Sequence, residues 1–388
     1  MSIYLDNSAT TPMCEEALSA YLHAAKTAWG NPSSRHLMGK EAEDILKTTR
    51  AKVLSSLGTR EGTVIFTAGG TEANNLAIFG RAYAKPRYRR GGKILTTAGE
   101  HSSVTECLSA LRAEGFEVVE IPTAGGSIDM ATLEKELTPN VILLTMMLVN
   151  NETGAVYDLA AVSRLAKQKC PDACLHADAT QAYLKLPVSP RALGADMITV
   201  SAHKIEGPKG VGALWVSPAV IKNRGIVARE LGGGQEGGWR SGTENVPAIA
   251  AFGAAIDKQT ADRADRVSHM LRLRQRLLDG VASIPALAEV KCNLPPVCAP
   301  HIVSITLPRI KSETMLHFLS ARGIFVSSGS ACSSHDTHTS PAMIAFGLSQ
   351  AEADSTLRVS FGIQNTDADV DAFLSALSEG VGSLIRFR

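Results

Sequence analysis

Short apolar runs rich in β-branched residues alternate with stretches of helical periodicity over much of the chain. Two strands that are joined by a helix can lie side by side in parallel, and their sheet is then covered by helices on both faces. This alternation therefore predicts an α/β fold with a large, mainly parallel sheet of seven strands. The strand candidates are residues 63–67, 93–97, 117–121, 141–149, 174–178, 195–200 and 211–216, and helical patterns at 71–83, 102–114, 130–137 and 158–168 separate several of them.

After about residue 245 the pattern changes, and a long helical stretch leads into a smaller region. We predict a large α/β domain at residues 1–250 and a small α+β domain at residues 251–388. The N-terminal segment is expected to pack with the small domain. The elements predicted there are strand 301–307, helix 311–321, strand 324–327, strand 356–361 and a closing helix.

The composition is that of an ordinary globular protein and argues against several kinds of partner. The 388 residues include 39 basic and 38 acidic side chains, so the net charge is only +1 and direct nucleic-acid binding is not expected. The seven cysteines form no CxxC pair, which favours a reducing compartment over a disulfide framework. No apolar run is long enough to cross a membrane and motif-like sequence begins by residue 6, so we expect a cytoplasmic protein without a targeting segment.

Polar segments follow five of the predicted strands at the point where each strand ends. In an open α/β sheet, ligands bind outside the carboxyl ends of the strands. The sequence therefore predicts a binding site at this edge of the sheet. The five segments are TAGGTEANN at 67–75, GEHSS at 99–103, NNETG at 150–154, DATQ at 178–181 and SAHK at 201–204.

Three features of these segments indicate a cofactor site. Lys204 lies in a Gly/Pro-rich turn just past a strand, where its amine can be desolvated and form a Schiff base, although a lone loop lysine is more often a surface residue. Asp178 ends another strand and can keep a pyridine nitrogen protonated, although Asp also caps helices at such junctions. Gly69, Gly70 and Thr71 open a helix whose free N–H groups can bind phosphate, which is a weak signal when taken alone.

Nine segments of the chain match, in order, the motifs of one known family. They are YLDNSATTP (4–12), GGTEANN (69–75), EHSSV (100–104), VNNETG (149–154), HADATQA (176–182), SAHKIEGPKGVGAL (201–214), RSGTEN (240–245), SSGSAC (327–332) and LRVSFG (357–362). In this order they resemble the NifS/IscS-type cysteine desulfurases, a class V group of fold-type-I pyridoxal-phosphate (PLP) enzymes. The resemblance covers nearly the whole chain. It implies a PLP fold-type-I architecture and removal of sulfur from L-cysteine, with L-alanine as product and the sulfur kept as an enzyme persulfide.

The resemblance also implies roles for single residues around the cofactor ring. Lys204 should hold PLP covalently, Asp178 should pair with the pyridinium nitrogen, and Gln181 should hydrogen-bond the phenolic oxygen. His101 is expected to stack on the ring and to move protons. Cys332 is expected to accept the sulfur.

Further residues should hold the cofactor phosphate and the substrate. The resemblance assigns the phosphate to Gly70, Thr71, Ser201 and His203. It adds Thr243 from a second subunit, so a homodimer is expected. Gly70 stands where relatives often have alanine, which keeps the backbone donor. The substrate residues implied are Asn151 and Arg358, with Arg358 taking the α-carboxylate through a bidentate fork.

The segment that carries Cys332 is rich in Ser, Gly and His, which contradicts the burial that is usual for a free cysteine. We interpret it as a tether that lets Cys332 meet first the cofactor and then an acceptor protein. The spacing of Cys332, His335 and His338 could bind a metal, but we expect none, because the ligands are too few. Our hypothesis is that protonated His335 or His338 lowers the pKa of Cys332.

Two other functions would also explain part of the sequence. A selenocysteine lyase, or another class V enzyme such as an aminotransferase, would keep the fold and change the reaction; a transaminase, however, needs no thiol at Cys332. A nucleotide-binding or regulatory protein could use Gly70 and Thr71 as a phosphate cradle without PLP. The sequence does not identify the acceptor, for which iron–sulfur assembly, tRNA thiolation, DNA phosphorothioation and cofactor biosynthesis are the open choices.

Overall fold

The computed structural model describes residues 2–328 and 340–384. Its strands form a seven-stranded sheet, a four-stranded sheet and a two-stranded sheet. The strands are β1 (Ile3–Tyr4), β2 (Thr63–Thr67), β3 (Lys93–Thr97), β4 (Glu117–Ile121), β5 (Val141–Met147), β6 (Cys174–Asp178), β7 (Met197–Ser201), β8 (Gly212–Val216), β9 (Lys291–Asn293), β10 (Ile302–Thr306), β11 (Ile324–Phe325), β12 (Ser327–Ser328) and β13 (Thr356–Ser360).

Helices connect most of the strands and cover the sheets. The longest of them begins at Arg263 and carries the chain from the large sheet into the small one. The helices are α1 (Glu15–Thr27), α2 (Leu37–Ser56), α3 (Gly70–Ala82), α4 (Ser102–Ala113), α5 (Met130–Glu136), α6 (Leu159–Lys169), α7 (Pro190–Leu193), α8 (Pro218–Lys222), α9 (Val246–Ala261), α10 (Arg263–Ser283), α11 (Ser312–Ser320), α12 (Pro341–Phe346), α13 (Gln350–Asp354) and α14 (Asp367–Leu384).

The seven-stranded sheet has the order β2-β8-β7-β6-β5-β3-β4. Its pairs are parallel except those of β8, which runs antiparallel to both β2 and β7. Every residue of β5, β6 and β7 is buried, as expected for strands that are covered on both faces. The predicted α/β fold with a large, mainly parallel sheet of seven strands is therefore confirmed. The carboxyl ends of β3, β5, β6 and β7 lie at one edge.

The four-stranded sheet is antiparallel and has the order β12-β13-β10-β9. The predicted strand 324–327 is two strands here: β11 pairs with β1, whereas β12 pairs with β13. Its residues were assigned to one strand because the sequence does not reveal that the chain changes sheets. The N-terminal strand β1 thus lies beside an element of the C-terminal region. The division into domains at residue 250 remains a prediction.

Buried apolar side chains form three clusters. Along the central strands the side chains alternate between two of them, as Leu143 and Leu144 do, because successive strand residues point to opposite faces. The third cluster includes Leu5, Leu273 and Phe373 and lies with the four-stranded sheet. Within the described ranges, no helix is long and apolar enough to cross a membrane.

Candidate active site

A cavity of about 310 Å³ lies at the carboxyl ends of β3, β5, β6 and β7 and beside the first turn of α3. This is the edge at which the polar segments were predicted to meet. The side chains that line it come from distant parts of the chain, so the fold brings them together. The predicted site residues among them are Gly70, Thr71, His101, Asn151, Asp178, Gln181, Ser201, His203, Lys204 and Arg358.

Lys204 lies in the short turn that follows β7, and its amine reaches the N-terminal segment. Nζ donates to the backbone oxygens of Ser8 (2.5 Å) and Ala9 (2.7 Å). The buried amine of Lys185 donates to the backbone oxygen of Lys204 (2.7 Å), and this second hydrogen bond holds the backbone of the turn. Burial lowers the pKa of Lys185 to about 7. The turn that carries Lys204 is therefore held from two sides.

Asp178 ends β6, and both of its carboxylate oxygens accept hydrogen bonds. The backbone N–H of Thr180 donates to Oδ1 (2.9 Å), and Nδ2 of Asn74 donates to Oδ2 (2.8 Å). Asp178 and Asn74 are both buried. The carboxylate is therefore oriented by the chain itself, and it can present its charge to a cationic ring nitrogen in the cavity.

His101 caps α4 and is connected to Asp178 through two side chains. Nδ2 of Asn74 also donates to Oγ of Ser103 (2.9 Å), and this hydroxyl contacts Nδ1 of His101 (2.9 Å). The backbone N–H of Ser103 donates to the same Nδ1 (3.1 Å), so that nitrogen is an acceptor and carries no proton in the neutral ring. Burial lowers the pKa of His101, with Lys204 and Arg358 acting in the same direction and Asp178 opposing. His101 is therefore neutral at pH 7, with its proton on Nε2.

Ser201, at the end of β7, and Thr71, in the first turn of α3, also line the cavity. The hydroxyl oxygen of Ser201 is buried and has no hydrogen-bond partner among the described residues. Burial, and after it the neighbouring cations Lys204 and Lys209, lower the pKa of His203 to about 3. An unpaired donor, a helix N-terminus and nearby cations are what a phosphate requires, so these residues fit the phosphate of PLP.

Gly70 lines the cavity beside Thr180 and Ser201. A Cβ at this position would lie 3.1 Å from Oγ1 of Thr180 and 3.6 Å from Cβ of Ser201. The glycine therefore lets the first turn of α3 approach the ends of β6 and β7 closely. That Gly70 contributes a backbone donor to a phosphate stays a prediction.

Arg358 enters the cavity from β13 and is buried. Nη2 donates to Oδ1 of Asp6 (2.8 Å) and Nη1 to the backbone oxygen of Asn151 (3.0 Å). Nε is buried and has no partner within the described part of the chain. The guanidinium is held in place while part of its donor capacity remains unused, as binding of a substrate carboxylate requires.

Gln181 follows β6, and its carboxamide is held at both ends. Nε2 donates to the backbone oxygen of Ser8 (2.9 Å), and Oε1 lies 3.3 Å from Nε2 of His301. His301 is fully buried immediately before β10, so a residue of the C-terminal region contacts the cavity wall.

Two carboxyl groups beside the cavity hold protons at unusually high pH. Burial raises the pKa of Glu100 to about 8; Oε1 accepts a hydrogen bond from Thr97, and the backbone N–H of Met147 donates to the same carboxyl at 2.9 Å. Burial also raises the pKa of Glu152 to about 7, and the Ser340 hydroxyl donates to Oε2 of Glu152 (2.6 Å). Glu100 ties the turn before His101 to the end of β5. Glu152 ties the β5 side of the cavity to the start of α12.

Two predicted site residues are not among those that line the cavity. Thr243 is exposed and lines a separate pocket that includes Thr67, Glu236 and Asn245. Cys332 lies outside the described residues, as do His335 and His338, so the hypothesis about their protonation stays a prediction. In the parts of the chain that the structure describes, no cluster of His, Cys, Asp or Glu side chains could hold a metal ion, and all six cysteines there are free.

The sequence interpretation missed Asn74, Ser103, Ser8 and His301. Asn74 lies four residues after Gly70 on α3, so the helical repeat places both on one face, and this signal could have identified it. Ser103 lies within the segment EHSSV, but only the contact with His101 reveals its role. No local pattern distinguishes His301, because its partner Gln181 is 120 positions away in the chain.

Comparisons with known proteins agree with this geometry. A model of the aminotransferase class-V family matches residues 3–373. The cysteine desulfurase IscS 1 of Archaeoglobus fulgidus is 37% identical over 376 residues, which cover 96% of this chain and 95% of that protein. The cysteine desulfurase IscS of Methanosarcina thermophila is 35% identical over 389 residues, covering 99% and 93%.

Solved structures show the same fold. A NifS-like protein superposes with a TM-score of 0.90 and 32% identity, over 98% of this chain and 100% of the other. The structure of SspA in complex with cysteine superposes with a TM-score of 0.79 and 29% identity, over 94% and 100% of the two chains.

Proposed function

This chain belongs to the aminotransferase class-V family and, within it, to the IscS and NifS cysteine desulfurases, and from that premise we propose how its residues carry out the reaction. Enzymes of this group depend on PLP. We propose that the chain binds L-cysteine, releases L-alanine and keeps the sulfur as a persulfide on Cys332. The observation that carries the proposal is the meeting of Lys204, Asp178 and the unpaired Ser201 hydroxyl in one cavity.

The roles of the cofactor-binding residues follow from the donors and acceptors that they offer. When bound, PLP withdraws electrons from the α-carbon of an amino acid. Lys204 would hold it covalently, and the carboxylate of Asp178 would keep its ring nitrogen charged. Ser201, Thr71 and His203, together with the backbone of Gly70, would bind the phosphate.

Substrate binding would use Arg358, which lines the same cavity. Arg358 would take the α-carboxylate of L-cysteine, and its hydrogen bonds to Asp6 and Asn151 would hold the guanidinium in position. SspA, which has this fold, was solved in complex with cysteine, which supports the same substrate class here. Once displaced from the cofactor by the substrate amine, Lys204 would move the α-proton, and neutral His101 would direct its Nε2 proton toward the cavity.

Sulfur transfer would then involve Cys332. Its thiolate would attack the sulfur of the substrate, the carbon–sulfur bond would break, and the remaining three-carbon unit would take up a proton and leave as L-alanine. The described residues on either side of the Cys332 segment are Ser328, in β12, and Ser340, which donates to Glu152 beside the cavity. Ser328 is thus held by the pairing of β12 with β13, and Ser340 by its hydrogen bond to Glu152.

The cofactor is tested first. The purified protein should be yellow, and borohydride should bleach its visible absorption by fixing the cofactor to Lys204. Lys204→Ala should not acquire a covalently fixed cofactor, whereas Lys222→Ala, at an exposed position, should behave as wild type. A colourless wild type that stays colourless after incubation with PLP would contradict the proposal. Mass spectrometry after reaction with labelled cysteine should then locate the label on Cys332.

We also propose that the enzyme is a homodimer in which Thr243 completes the phosphate site of the other subunit. Trp29, Leu37 and Leu231 expose 68%, 80% and 85% of their surface, which is unusual for large apolar side chains and supports a partner surface. A mixed dimer of one Lys204→Ala and one Thr243→Ala subunit should contain one complete site with wild-type affinity for PLP. If Thr243 acts within its own subunit, no complete site forms.

The destination of the sulfur and the compartment remain proposals as well. We propose a cytoplasmic enzyme that transfers its persulfide to an acceptor protein of iron–sulfur assembly or of tRNA or cofactor thiolation. Loading Cys332 with sulfur-labelled cysteine and adding cell extract should move the label to one acceptor protein. Retention of all label on the enzyme would contradict transfer to a protein.

A further inference from the structure

His301 is a buried histidine outside the set of residues assigned to the reaction. It immediately precedes β10, and its backbone oxygen accepts a hydrogen bond from the backbone N–H of Phe361 (2.9 Å). Its side chain contacts Gln181, with 3.3 Å between Nε2 and Oε1. A histidine of the C-terminal region is thus in contact with a side chain that lines the cavity.

The hydrogen bonds around Gln181 determine which atom donates to which. The backbone oxygen of Ser8 can only accept, so the nitrogen of the Gln181 carboxamide must face it, at 2.9 Å. The carboxamide oxygen therefore faces His301 and can only accept as well. It follows that Nε2 of His301 carries a proton and donates it to Gln181.

The remaining atoms of the network are consistent with this assignment. His301 is fully buried, and Nδ1 has no partner among the residues that the structure describes. Burial, together with the nearby cations Lys185, Arg358 and Lys204, holds its pKa well below the usual value, so the ring is neutral and has one proton. With that proton on Nε2, the unpaired Nδ1 carries a lone pair and no hydrogen, so no buried N–H donor is left without an acceptor.

The carboxamide nitrogen of Gln181 has two hydrogens, and Ser8 uses one of them. With Ser8 as its only anchor, the carboxamide could rotate about the bond to its side chain. The second anchor, His301, defines the plane of the group. Because Gln181 lines the cavity, the second hydrogen is the one available to a bound ligand.

We propose that His301 is a positioning residue that orients Gln181 so that its second N–H donates to the phenolic oxygen of PLP. The inference rests on the proposed function, because it requires the cofactor. A donor at the phenolic oxygen reduces the negative charge there. That charge stabilises the proton on the nitrogen that joins the cofactor to Lys204, so a weaker donor should raise the pH at which this proton is lost.

Visible absorption of the PLP-loaded enzyme, titrated with pH, measures this directly. His301→Leu removes the donor and should raise the pH midpoint of the absorption change by about half a unit to one unit, the range expected for one hydrogen bond. His301→Gln places an amide N–H near the position of Nε2 and should restore most of the wild-type midpoint. Val303→Ala, a change of a buried apolar residue within β10 itself, controls for a general loosening of this strand.

The outcomes separate this inference from the proposed function. Equal midpoints in wild type, His301→Leu and Val303→Ala, with all three loaded with PLP, would overturn the role of His301 and leave the enzyme a PLP enzyme. A midpoint in His301→Gln as high as that in His301→Leu would also overturn it. A wild type without any pH-dependent visible band would instead reject the proposed function, and this inference with it.

Discussion

Two parts of the cavity wall differ in their hydrogen bonding. Around Asp178 (the paired end) the side chains donate to one another and only Oδ1 of Asn74 lacks a partner among the described residues, whereas at Ser201 (the unpaired end) the hydroxyl has none at all. Asn74 donates to both Asp178 and Ser103, and Ser103 contacts His101. The Ser201 hydroxyl, in contrast, is buried with no partner in the described chain. The chain itself orders the first end, while the second needs an anion to complete it.

This difference corresponds to two functions, catalysis at the cofactor ring and binding of the cofactor phosphate. Catalysis at the ring requires groups that are already oriented before the substrate arrives, because reorienting them during the reaction would add to the barrier. Phosphate binding can instead use groups whose cost of burial is offset only when the ligand is present, and a buried unpaired hydroxyl costs about 1–3 kcal/mol. We therefore expect changes near Asp178 to lower the rate, and changes near Ser201 to lower cofactor affinity.

The largest effect is expected for Asp178→Asn. An amide cannot keep the ring nitrogen charged, and loss of one partner of a buried ion pair costs about 3–5 kcal/mol, so kcat for alanine formation should fall by roughly 10²–10⁴-fold even at saturating PLP. Asp172→Asn, at an exposed position, should leave kcat unchanged. A fall below tenfold would mean that Asp178 does not carry the charge of the site.

Asn74→Ala tests whether the ordering around Asp178 matters while the carboxylate itself stays in place. It removes donors to a carboxylate and to Ser103, and hydrogen bonds to charged groups contribute about 1.5–3 kcal/mol, so we expect a roughly tenfold to hundredfold fall in kcat. The matched control is Asn75→Ala, the next residue of α3, whose side chain donates only to the backbone oxygen of Thr71. Equal kinetics in the two variants would show that the paired end needs no support from Asn74.

Ser201→Ala tests the unpaired end and should separate affinity from rate. The PLP dissociation constant of cofactor-free enzyme should rise about tenfold, corresponding to one hydrogen bond, while kcat at saturating PLP stays within about twofold. The cofactor-free variant should be no less stable to urea than wild type, because the hydroxyl it lacks is unpaired there. A clear loss of stability without PLP would show that Ser201 is paired after all.

The same difference determines how much of the site the sequence could predict. Lys204, Asp178 and Ser201 follow strand ends, so strand periodicity and the geometry of parallel sheets were enough to bring them together. Asn74 shares a face of α3 with Gly70, and this local signal was overlooked because its partner Asp178 lies 104 positions away. His301 was missed because its partner Gln181 is 120 positions away and no local pattern encodes that pair. The strand at 324–327 was predicted as one element, although the chain changes sheets between Phe325 and Ser327.

The smallest effect is a pH dependence of stability at the paired end, due to Glu100. Its folded pKa of about 8 lies above the usual value near 4.5, so the protonated carboxyl stabilises the fold at low pH, and this contribution is lost as pH rises through 8. Between pH 7 and pH 9 the loss amounts to about 1 kcal/mol. Glu100→Gln cannot ionise, so its free energy of unfolding in urea should decline less over this interval than that of wild type. The exposed control Glu114→Gln should decline as wild type does, and parallel curves for all three proteins would mean that Glu100 does not titrate in this range.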